Sequence, residues 1–292
     1  MTKVLVSDPI DKAGIDILSQ VAQVDQRTGL SEQELIGIIG DYDGLMIRSG
    51  TQVTAAVIAA ASRLKIIGRA GVGVDNVDVP AATQRGVLVV NSPEGNTIAA
   101  AEHALAMMLS LSRHVPQAHT GMRAGRWDRK KFVGNELYKK TLGVVGLGKI
   151  GSHVARVAKA MGMDVIAYDP FIAADRAQKM QVRLTQLDEL FRKADYVTLH
   201  IPRTKDTENL VNAELLRTMK RGARIVNCAR GGVVDEAAIA EAVENGVIAG
   251  AGLDVFASEP LAEDSPPRGG AGIGAHSPPR SFNGGSAGKR GH

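Results

Sequence analysis

The stretch from residue 141 to residue 169 constrains the fold of this 292-residue chain more than any other. An apolar run at 142–145 enters a G-x-G-x-x-G turn, a helical pattern follows, and a second apolar run ends at the acid Asp169. The glycines of the turn are Gly146, Gly148 and Gly151. Bare glycine motifs also occur in ordinary strand-to-helix loops. The complete order of strand, turn, helix, strand and acid instead predicts a dinucleotide-binding unit, with a pyrophosphate at the helix N-terminus.

The acid at the end of this stretch indicates which dinucleotide is bound. Asp169 comes 21 residues after Gly148, near the spacing at which a carboxylate accepts hydrogen bonds from the ribose hydroxyls. A carboxylate repels the 2′-phosphate of NADP, and the next residues, Pro170 and Phe171, supply no cation to hold it. The sequence therefore predicts NAD as the cofactor.

Composition narrows the class of protein. Hydrophobic residues make up 44% of the chain, which supports a sizeable core, and no run of 18 apolar residues is present. With no basic-then-apolar leader and a single cysteine, we expect a soluble, cytoplasmic protein. Residues 265–292 hold four basic residues and no acid, and the rest of the chain holds 31 of each sign. We therefore expect neither nucleic acid nor membrane as a partner.

Strand and helix patterns alternate along the chain, with a change of character at two places. We expect an α/β fold of two doubly wound parallel-sheet domains. Residues 1–95 would form a smaller, flavodoxin-like substrate-binding domain, and residues 96–264 a Rossmann-type NAD-binding domain. Residues 265–292, rich in Pro, Gly, Ser and Arg, would form a disordered tail. A basic arm at 123–131 is either a solvated loop or a subunit contact.

Ligands of a doubly wound sheet bind beyond the carboxyl ends of its strands. The side chains expected there with Asp169 are His200, Cys228, Ala229, Arg230, Asp254 and Glu259. Arg230 suits a bidentate carboxylate contact or a salt bridge. His200 and Cys228 also fit purely structural roles, and Glu259 fits a solvated loop. No His, Cys or Asp spacing suggests a metal, so none is predicted.

Several local motifs are specific in combination. They are Ile47–Ser49, Gly68–Asp78, Gly95–His103, Trp127–Phe132, His200–Pro202, Asn227–Gly232, Asp254–Phe256 and Glu259–Pro260. On these motifs the chain resembles the NAD-dependent D-isomer-specific 2-hydroxyacid dehydrogenases, over residues 1 to about 265. The resemblance implies that Arg230 holds a substrate carboxylate and that Glu259 pairs with a catalytic histidine.

The resemblance also implies binding residues and partners. Together with the glycine turn, the cofactor residues are Gly146, Gly148, Lys149, Ile150, Gly151, Asp169, His200, Ile201, Pro202, Cys228, Ala229, Arg230 and Asp254. Residues expected around the substrate are Arg48, Ser49, Arg69, Gly73 and Asn96. The two arginine motifs favour a phosphorylated 2-hydroxy acid. The helix after Asn96 and the arm around Trp127 would join copies of the chain as a homodimer or tetramer.

The chain departs from the family in its last residues. The family's catalytic histidine lies in a Thr-Pro-His-x-Gly-Ala-Ser-Thr segment, whereas His276 lies in Ala-His-Ser-Pro-Pro-Arg. Codons for residues 276–283 can be written CAC TCC CCA CCT CGG AGC TTC AAC. Preceded by CT and followed by G, the same bases shifted read Leu-Thr-Pro-His-Leu-Gly-Ala-Ser-Thr.

We therefore hypothesise a frameshift near Pro266. It would remove the catalytic histidine and the returning C-terminal helix that completes the substrate domain, and so impair activity. Two alternatives to a phosphorylated-acid dehydrogenase are a non-catalytic, dimerising NAD-binding protein and a glyoxylate or hydroxypyruvate reductase.

Overall fold

The computed structural model describes residues 1–92, 95–259, 261 and 273–275. The chain divides into two compact units, the first covering Met1–Asn96 and the second beginning at Thr97. The expected α/β fold with parallel sheets is confirmed, because every strand pairing in both units is parallel.

Unit 1 contains a five-stranded sheet with the order β2-β1-β3-β4-β5, a doubly wound order of the flavodoxin kind. Its strands are β1 (Lys3–Val6), β2 (Gln23–Gln26), β3 (Gly44–Ile47), β4 (Ile66–Arg69) and β5 (Leu88–Asn91). Its helices are α1 (Lys12–Ser19), α2 (Glu32–Ile39), α3 (Ala55–Ala60) and α4 (Val79–Gln84). A capping box begins α2 at Ser31. The Ser31 hydroxyl accepts from the backbone N–H of Glu34, and the Glu34 carboxylate accepts from that of Ser31.

The core of unit 1 lies on one face of this sheet. Leu45, Ile47 and Ile67 are buried there, together with residues of α2 and α3 such as Leu35 and Val57. Alternate residues of the same strands point to the opposite face. On that face Ile66, Leu88 and Val90 remain 39–59% exposed in the part of unit 1 that the structure describes.

Unit 2 contains a seven-stranded sheet with the order β12-β11-β10-β9-β6-β7-β8. Its strands are β6 (Thr141–Val145), β7 (Asp164–Tyr168), β8 (Arg183–Leu184), β9 (Tyr196–Leu199), β10 (Arg224–Asn227), β11 (Gly250–Leu253) and β12 (Ile273–Ala275). The chain builds outward from β6 to β7 and β8, then returns to place β9 on the other side of β6. The strand order reverses between β6 and β9, which is the position where ligands bind doubly wound sheets.

The helices of unit 2 lie between these strands in the sequence, apart from two that precede β6. They are α5 (Thr97–Arg113), α6 (Val115–Arg123), α7 (Lys149–Ala160), α8 (Ala174–Lys179), α9 (Leu187–Lys193), α10 (Ala213–Arg217) and α11 (Glu236–Glu244). A 3₁₀ turn at Arg129–Lys131 belongs to the basic arm. Within the described ranges, no helix has both the length and the apolar character needed to cross a bilayer.

Most of the expected tail, residues 265–292, lies outside the described residues. Three residues of that range, Ile273–Ala275, form β12 and pair with Ala251–Leu253 of β11. For these three residues the structure differs from the expectation of a disordered tail, because their backbone joins the edge of the sheet. The rest of the expectation stays a prediction.

Gly143 at the centre of β6 tests the packing of unit 2. A Cβ on Gly143 would collide with Leu190 of α9 and lie 3.1 Å from the Cβ of Ala194. We expect Gly143→Ala to lower the free energy of unfolding by about 1–3 kcal/mol, as overpacked cores do, measured by urea unfolding. Gly222→Ala is the control, because a Cβ there has no neighbour within 4 Å. Equal effects of the two substitutions would contradict the proposed packing.

Candidate functional site

The glycine turn between β6 and α7 forms one wall of the candidate site. Gly146 has a φ of 92°, and a Cβ there would lie 2.6 Å from the carbonyl oxygen of His200. A Cβ on Gly151 would collide with the carbonyl of Gly146. Both positions therefore need glycine for the packing of the protein itself. Gly148 differs, because a Cβ there would meet no atom within 4 Å. The space into which a Gly148 side chain would project is therefore open.

Asp169 follows β7 and is fixed against this turn. One carboxylate oxygen accepts a hydrogen bond of 2.7 Å from the backbone N–H of Leu147, which lies between the first two glycines. The other accepts from the N–H groups of Phe171 and Ile172, at 2.9 and 3.2 Å. A carboxylate offers about four lone-pair sites. The side chain is thus oriented by its own loop while it retains capacity for a further donor such as a ribose hydroxyl.

His200 follows β9 on the other side of β6. Its backbone N–H donates to the carbonyl of Val145, and its ring nitrogen lies 3.0 Å from the Thr198 hydroxyl. Burial lowers the pKa of His200 to about 4, so the imidazole is neutral at pH 7. Together with the contact between its carbonyl and Gly146, these bonds make His200 a support of the turn. A group with this pKa is a weak proton acceptor at neutral pH.

The loop after β10 presents Arg230. The buried side chain of Asn227 organises this loop, because its oxygen accepts from the N–H of Ala229 and its amide donates to the carbonyl of Arg230. Gly231 then lies so close to Phe256 that a Cβ would collide with the Phe256 carbonyl. The loops that carry Arg230 and Glu259 are therefore packed together. Sequence reasoning gave Asn227 no role, since its function depends on local backbone geometry.

The loop after β11 carries the other predicted residues. The N–H of Asp254 donates to the carbonyl of Asn227, which continues the β10–β11 pairing into the loop. Glu259 is exposed, and its carboxylate accepts from the N–H of Phe256 at 3.0 Å. This bond shapes the loop, and the catalytic role expected for Glu259 stays a prediction.

Three side chains that are distant in sequence meet at this edge of the sheet. The side chain of His103 of α5 lies beside that of Asp254, with 3.2 Å between Nε2 and Oδ1. A nitrogen of His103, the sulfur of Cys228 and an oxygen of Asp254 all lie within 4.8 Å of one another. Burial, with a further effect from Asp254, raises the pKa of Cys228 to about 12. The thiol is therefore protonated at neutral pH and is a poor nucleophile.

The predicted substrate residues Arg48 and Ser49 lie in the loop after β3 of unit 1. Asp8 holds this loop, because its carboxylate accepts from the N–H groups of Arg48 and Thr51 at 2.6 and 3.1 Å. Asn76 also holds it, donating at 2.7 Å to the carbonyls of the same two residues. Both anchoring side chains are buried. Sequence reasoning missed Asp8 altogether and quoted Asn76 only within a motif.

The other predicted substrate residues are Arg69, Gly73 and Asn96. Arg69 is the last residue of β4, directly beside β3, and Gly73 lies in the loop that follows. The ends of these two adjacent strands thus bring the segments of Arg48 and Arg69 to one edge of the unit 1 sheet. Asn96 lies immediately before α5, at the end of unit 1.

The lowered pKa of His200 predicts a pH dependence of stability. In the unfolded chain a histidine has a pKa of about 6.5. Between pH 6.5 and 4 the unfolded state therefore binds a proton that the folded state does not, and stability falls as the pH falls. Relative to His200→Gln, we expect the free energy of unfolding to drop by about 2–3 kcal/mol from pH 7 to pH 4. Urea unfolding at a series of pH values measures this difference.

The exposed His119 provides the control for this experiment. We expect the free energy of unfolding of His119→Gln to show the same pH dependence as that of the unsubstituted chain. If the free energy of unfolding of His200→Gln instead has the same pH dependence as that of the unsubstituted chain, His200 does not carry the buried neutral imidazole described above.

Comparison with known proteins identifies the family. The sequence model for "D-isomer specific 2-hydroxyacid dehydrogenase, NAD binding domain" matches residues 105–269, more than half of the chain. D-3-phosphoglycerate dehydrogenase of Synechocystis sp. is 65% identical over 263 residues, which are 90% of this chain and 48% of that protein. The enzyme of the same name from Archaeoglobus fulgidus is 50% identical over 265 residues, 90% of this chain and 50% of that protein. The chain thus spans about half the length of these curated relatives.

Solved structures share the fold of this chain. The TT0316 protein of Thermus thermophilus superposes with a TM-score of 0.86 at 35% identity, covering 94% of this chain and 88% of that one. A D-lactate dehydrogenase from Aquifex aeolicus, solved with NAD and lactic acid, gives a TM-score of 0.81 at 28% identity, covering 90% and 83%. On these matches and the geometry described above, the chain belongs to the D-isomer specific 2-hydroxyacid dehydrogenase family, and unit 2 carries the NAD binding domain of that family.

Proposed function

We propose that this chain is built for the NAD-dependent oxidation of the D-2-hydroxy acid 3-phosphoglycerate to 3-phosphohydroxypyruvate, a reaction of serine synthesis. The observation that carries the proposal is the turn between β6 and α7, where Gly148 borders open space and Asp169 is fixed beside it. The 65% identity to the Synechocystis D-3-phosphoglycerate dehydrogenase supports this choice of reaction.

In this proposal the cofactor lies along the carboxyl edge of the unit 2 sheet. NAD, when bound, accepts the hydride that leaves the carbon bearing the substrate hydroxyl. The N-terminus of α7 favours the pyrophosphate charge through its free N–H groups. Asp169 accepts from the ribose, and the residues after β9, β10 and β11 line the remainder of the site. The hydrogen bonds of Asn227 and the close packing of Gly231 against Phe256 hold these loops in place.

Substrate recognition in this proposal uses arginine side chains. Arg230 binds the carboxylate of the hydroxy acid, because a guanidinium presents paired donors that match two carboxylate oxygens. Arg48 and Arg69 provide positive charge for the phosphate. The anchoring of the Arg48 loop by Asp8 and Asn76 supports a defined binding segment. A glyoxylate reductase from Paecilomyes thermophila is 28% identical with a TM-score of 0.86, but glyoxylate carries no phosphate for these arginines.

The proton on the substrate hydroxyl must move as the hydride leaves. His200 is unsuited to accept it, because burial lowers its pKa to about 4. Glu259 is exposed and hydrogen-bonded to its own loop. The family's base would come from the Thr-Pro-His segment that this sequence lacks, and His276 lies outside the described residues. We therefore propose that catalysis by the present chain is impaired while NAD binding is retained.

A second candidate function is a dimerising NAD-binding protein without catalysis. The observation that favours it is the exposed apolar surface formed by α6 and the basic arm. Trp127 and Val133 are each 78% exposed there, and Val115 and Met122 are more than half exposed. Aromatic and arginine side chains are favoured in protein interfaces. We propose a homodimer or tetramer, to be distinguished from a monomer by sedimentation equilibrium of the chain with and without NADH.

Cofactor preference tests the role of Asp169. We expect NADH to bind more tightly than NADPH, because the carboxylate repels the 2′-phosphate. Asp169→Asn retains an acceptor for the N–H of Leu147 while removing the charge, so it should narrow the difference between the two dissociation constants. Fluorescence titration of both cofactors against both proteins measures this. Equal affinities in the unsubstituted chain would overturn the assignment.

Restoring the shifted frame tests the proposed reaction. A gene whose frame is shifted near codon 266, so that Leu-Thr-Pro-His-Leu-Gly-Ala-Ser-Thr follows Glu259, supplies the missing base. We expect kcat/KM for 3-phosphoglycerate to rise by roughly 10²–10⁴-fold, the usual contribution of general acid–base catalysis. The affinity for NADH should change little, because the glycine turn and Asp169 are the same in both chains.

A third protein separates the base from other effects of the restored segment. It carries the restored frame with the histidine of Thr-Pro-His replaced by glutamine. We expect this variant to lose the gain in turnover and to retain NADH binding. If the present chain already has the same kcat/KM for 3-phosphoglycerate as the restored chain, the base lies elsewhere and the proposed impairment is wrong.

A further inference from the structure

The close approach of α5 to the end of β11 brings three potential metal ligands together. Gly252 of β11 packs closely against this helix, because a Cβ there would lie 3.1 Å from the side chain of Met107 and 3.2 Å from that of Leu111 of α5. His103 lies one helical turn before Met107 on the same face of α5. Asp254 is the first residue after β11 and lies two positions beyond Gly252. Helix and strand therefore bring the imidazole to the carboxylate.

The pairing of β10 with β11 adds the third side chain. Asn227 is opposite Leu253 in the parallel register, so the next residues along, Cys228 and Asp254, leave the sheet side by side. The thiol, the imidazole and the carboxylate come from three elements of unit 2, so adjacent loops and a helix fix their separations. The facing atoms His103 Nε2 and Asp254 Oδ1 are themselves buried, while the two side chains as a whole are 31% and 19% exposed.

The separations fit a small cation. Zinc binds nitrogen and carboxylate oxygen at about 2.0–2.2 Å, so two such ligands of a tetrahedral ion lie roughly 3.4 Å apart. His103 Nε2 and Asp254 Oδ1 are 3.2 Å apart. The zinc–sulfur bond is about 2.3 Å, so a sulfur within 4.8 Å of both other ligands reaches the same ion after a small side-chain rotation.

We infer that His103, Cys228 and Asp254 form a binding site for one divalent cation of the Zn²⁺ class. Nitrogen, sulfur and carboxylate oxygen together suit a borderline-soft ion rather than Mg²⁺ or Ca²⁺, which take oxygen ligands. On binding, the thiol gives its proton to solvent and a sulfur–metal bond forms. Three protein ligands leave the fourth position for a water molecule.

The location of this site gives it a consequence for the cofactor. Cys228 and Asp254 are also residues proposed to line the NAD site, so this step rests on the proposed function. The thiolate and the carboxylate oxygen that hold the metal ion are then unavailable to the cofactor. Metal and NAD should therefore exclude one another, which makes the site inhibitory.

Cobalt binding to the full, tag-free chain tests the site directly. Zn²⁺ has a filled d shell and gives no visible spectrum, whereas Co²⁺ bound to a thiolate gives a charge-transfer absorption. We expect one Co²⁺ per chain with this absorption, displaced by Zn²⁺ and unaffected by Mg²⁺. Cys228→Ala should abolish the absorption. Asp254→Asn and His103→Gln should weaken binding at least as much as loss of an outer-sphere partner does, roughly 10–100-fold.

His119→Ala, at an exposed position, is the matched control and should bind Co²⁺ like the unsubstituted chain. Thermal unfolding of each variant shows whether it is folded, and His103→Gln retains a donor toward Asp254. Binding without the charge-transfer absorption, or equal binding by Cys228→Ala, would overturn the site.

A Zn²⁺ titration with and without NADH tests whether the metal ion and the cofactor exclude one another. We expect saturating NADH to raise the apparent dissociation constant for Zn²⁺. If NADH binds by direct titration and the Zn²⁺ affinity does not change, exclusion is wrong. If NADH does not bind at all, the proposed function fails, and the Co²⁺ experiment still decides the metal site.

Discussion

The contact between the Gly146 backbone and the carbonyl of His200 sets the geometry of the carboxyl edge in unit 2. It joins the turn after β6 to the end of β9, the two strands at which the sheet order reverses. A side chain at residue 146 would push these segments apart and would also be strained at a φ of 92°. The Asp169 carboxylate then fixes the same turn from the β7 side through the N–H of Leu147. Three neighbouring strands thus hold one short turn in place before any cofactor arrives.

The three glycines of the G-x-G-x-x-G motif have different structural roles in this turn. Of the three turn glycines, Gly146 and Gly151 are required by contacts within the protein, and Gly148 borders open space. Asp169 likewise supports its own loop, in addition to the ribose contact proposed for it. Substitution at Gly146, Gly151 or Asp169 therefore alters the scaffold as well as the proposed binding site. This is why Asp169→Asn, which keeps an acceptor, is a more informative change than removal of the side chain.

The sequence predicted features that depend on residues close together in the chain. The glycine turn and the parallel sheets follow from local spacing and periodicity, and the structure confirms them. Short or polar elements were missed. The edge strand β2 reads Gln-Val-Asp-Gln, and β8 has only two residues, so neither shows an apolar period.

Contacts between residues far apart along the chain could not be predicted from the sequence either. Asp8 holds a loop 40 residues away, and no local pattern marks a single acid as an anchor. His103 and Asp254 are farther apart still, and the sequence accordingly predicted no metal ligands. They meet next to Gly252, where a Cβ would be tight against the side chains of α5. A glycine inside a buried strand was the available signal, since such glycines often mark close backbone approach.

The exposed face of the unit 1 sheet connects the fold to the proposed loss of catalysis. Both faces of a parallel sheet are normally covered, yet Ile66, Leu88 and Val90 remain exposed in the described part of unit 1. In the family that the chain belongs to, the resemblance implies a returning C-terminal helix in the substrate domain, beyond the histidine segment. We propose that this helix covers the exposed face, at about 25 cal/mol for each Å² of apolar surface buried. One shifted reading frame would then remove both the catalytic base and the helix that covers this sheet. Restoring the frame would therefore restore turnover and the stability of unit 1 together. The histidine-to-glutamine variant of the restored chain separates the two, because it returns the cover without the base.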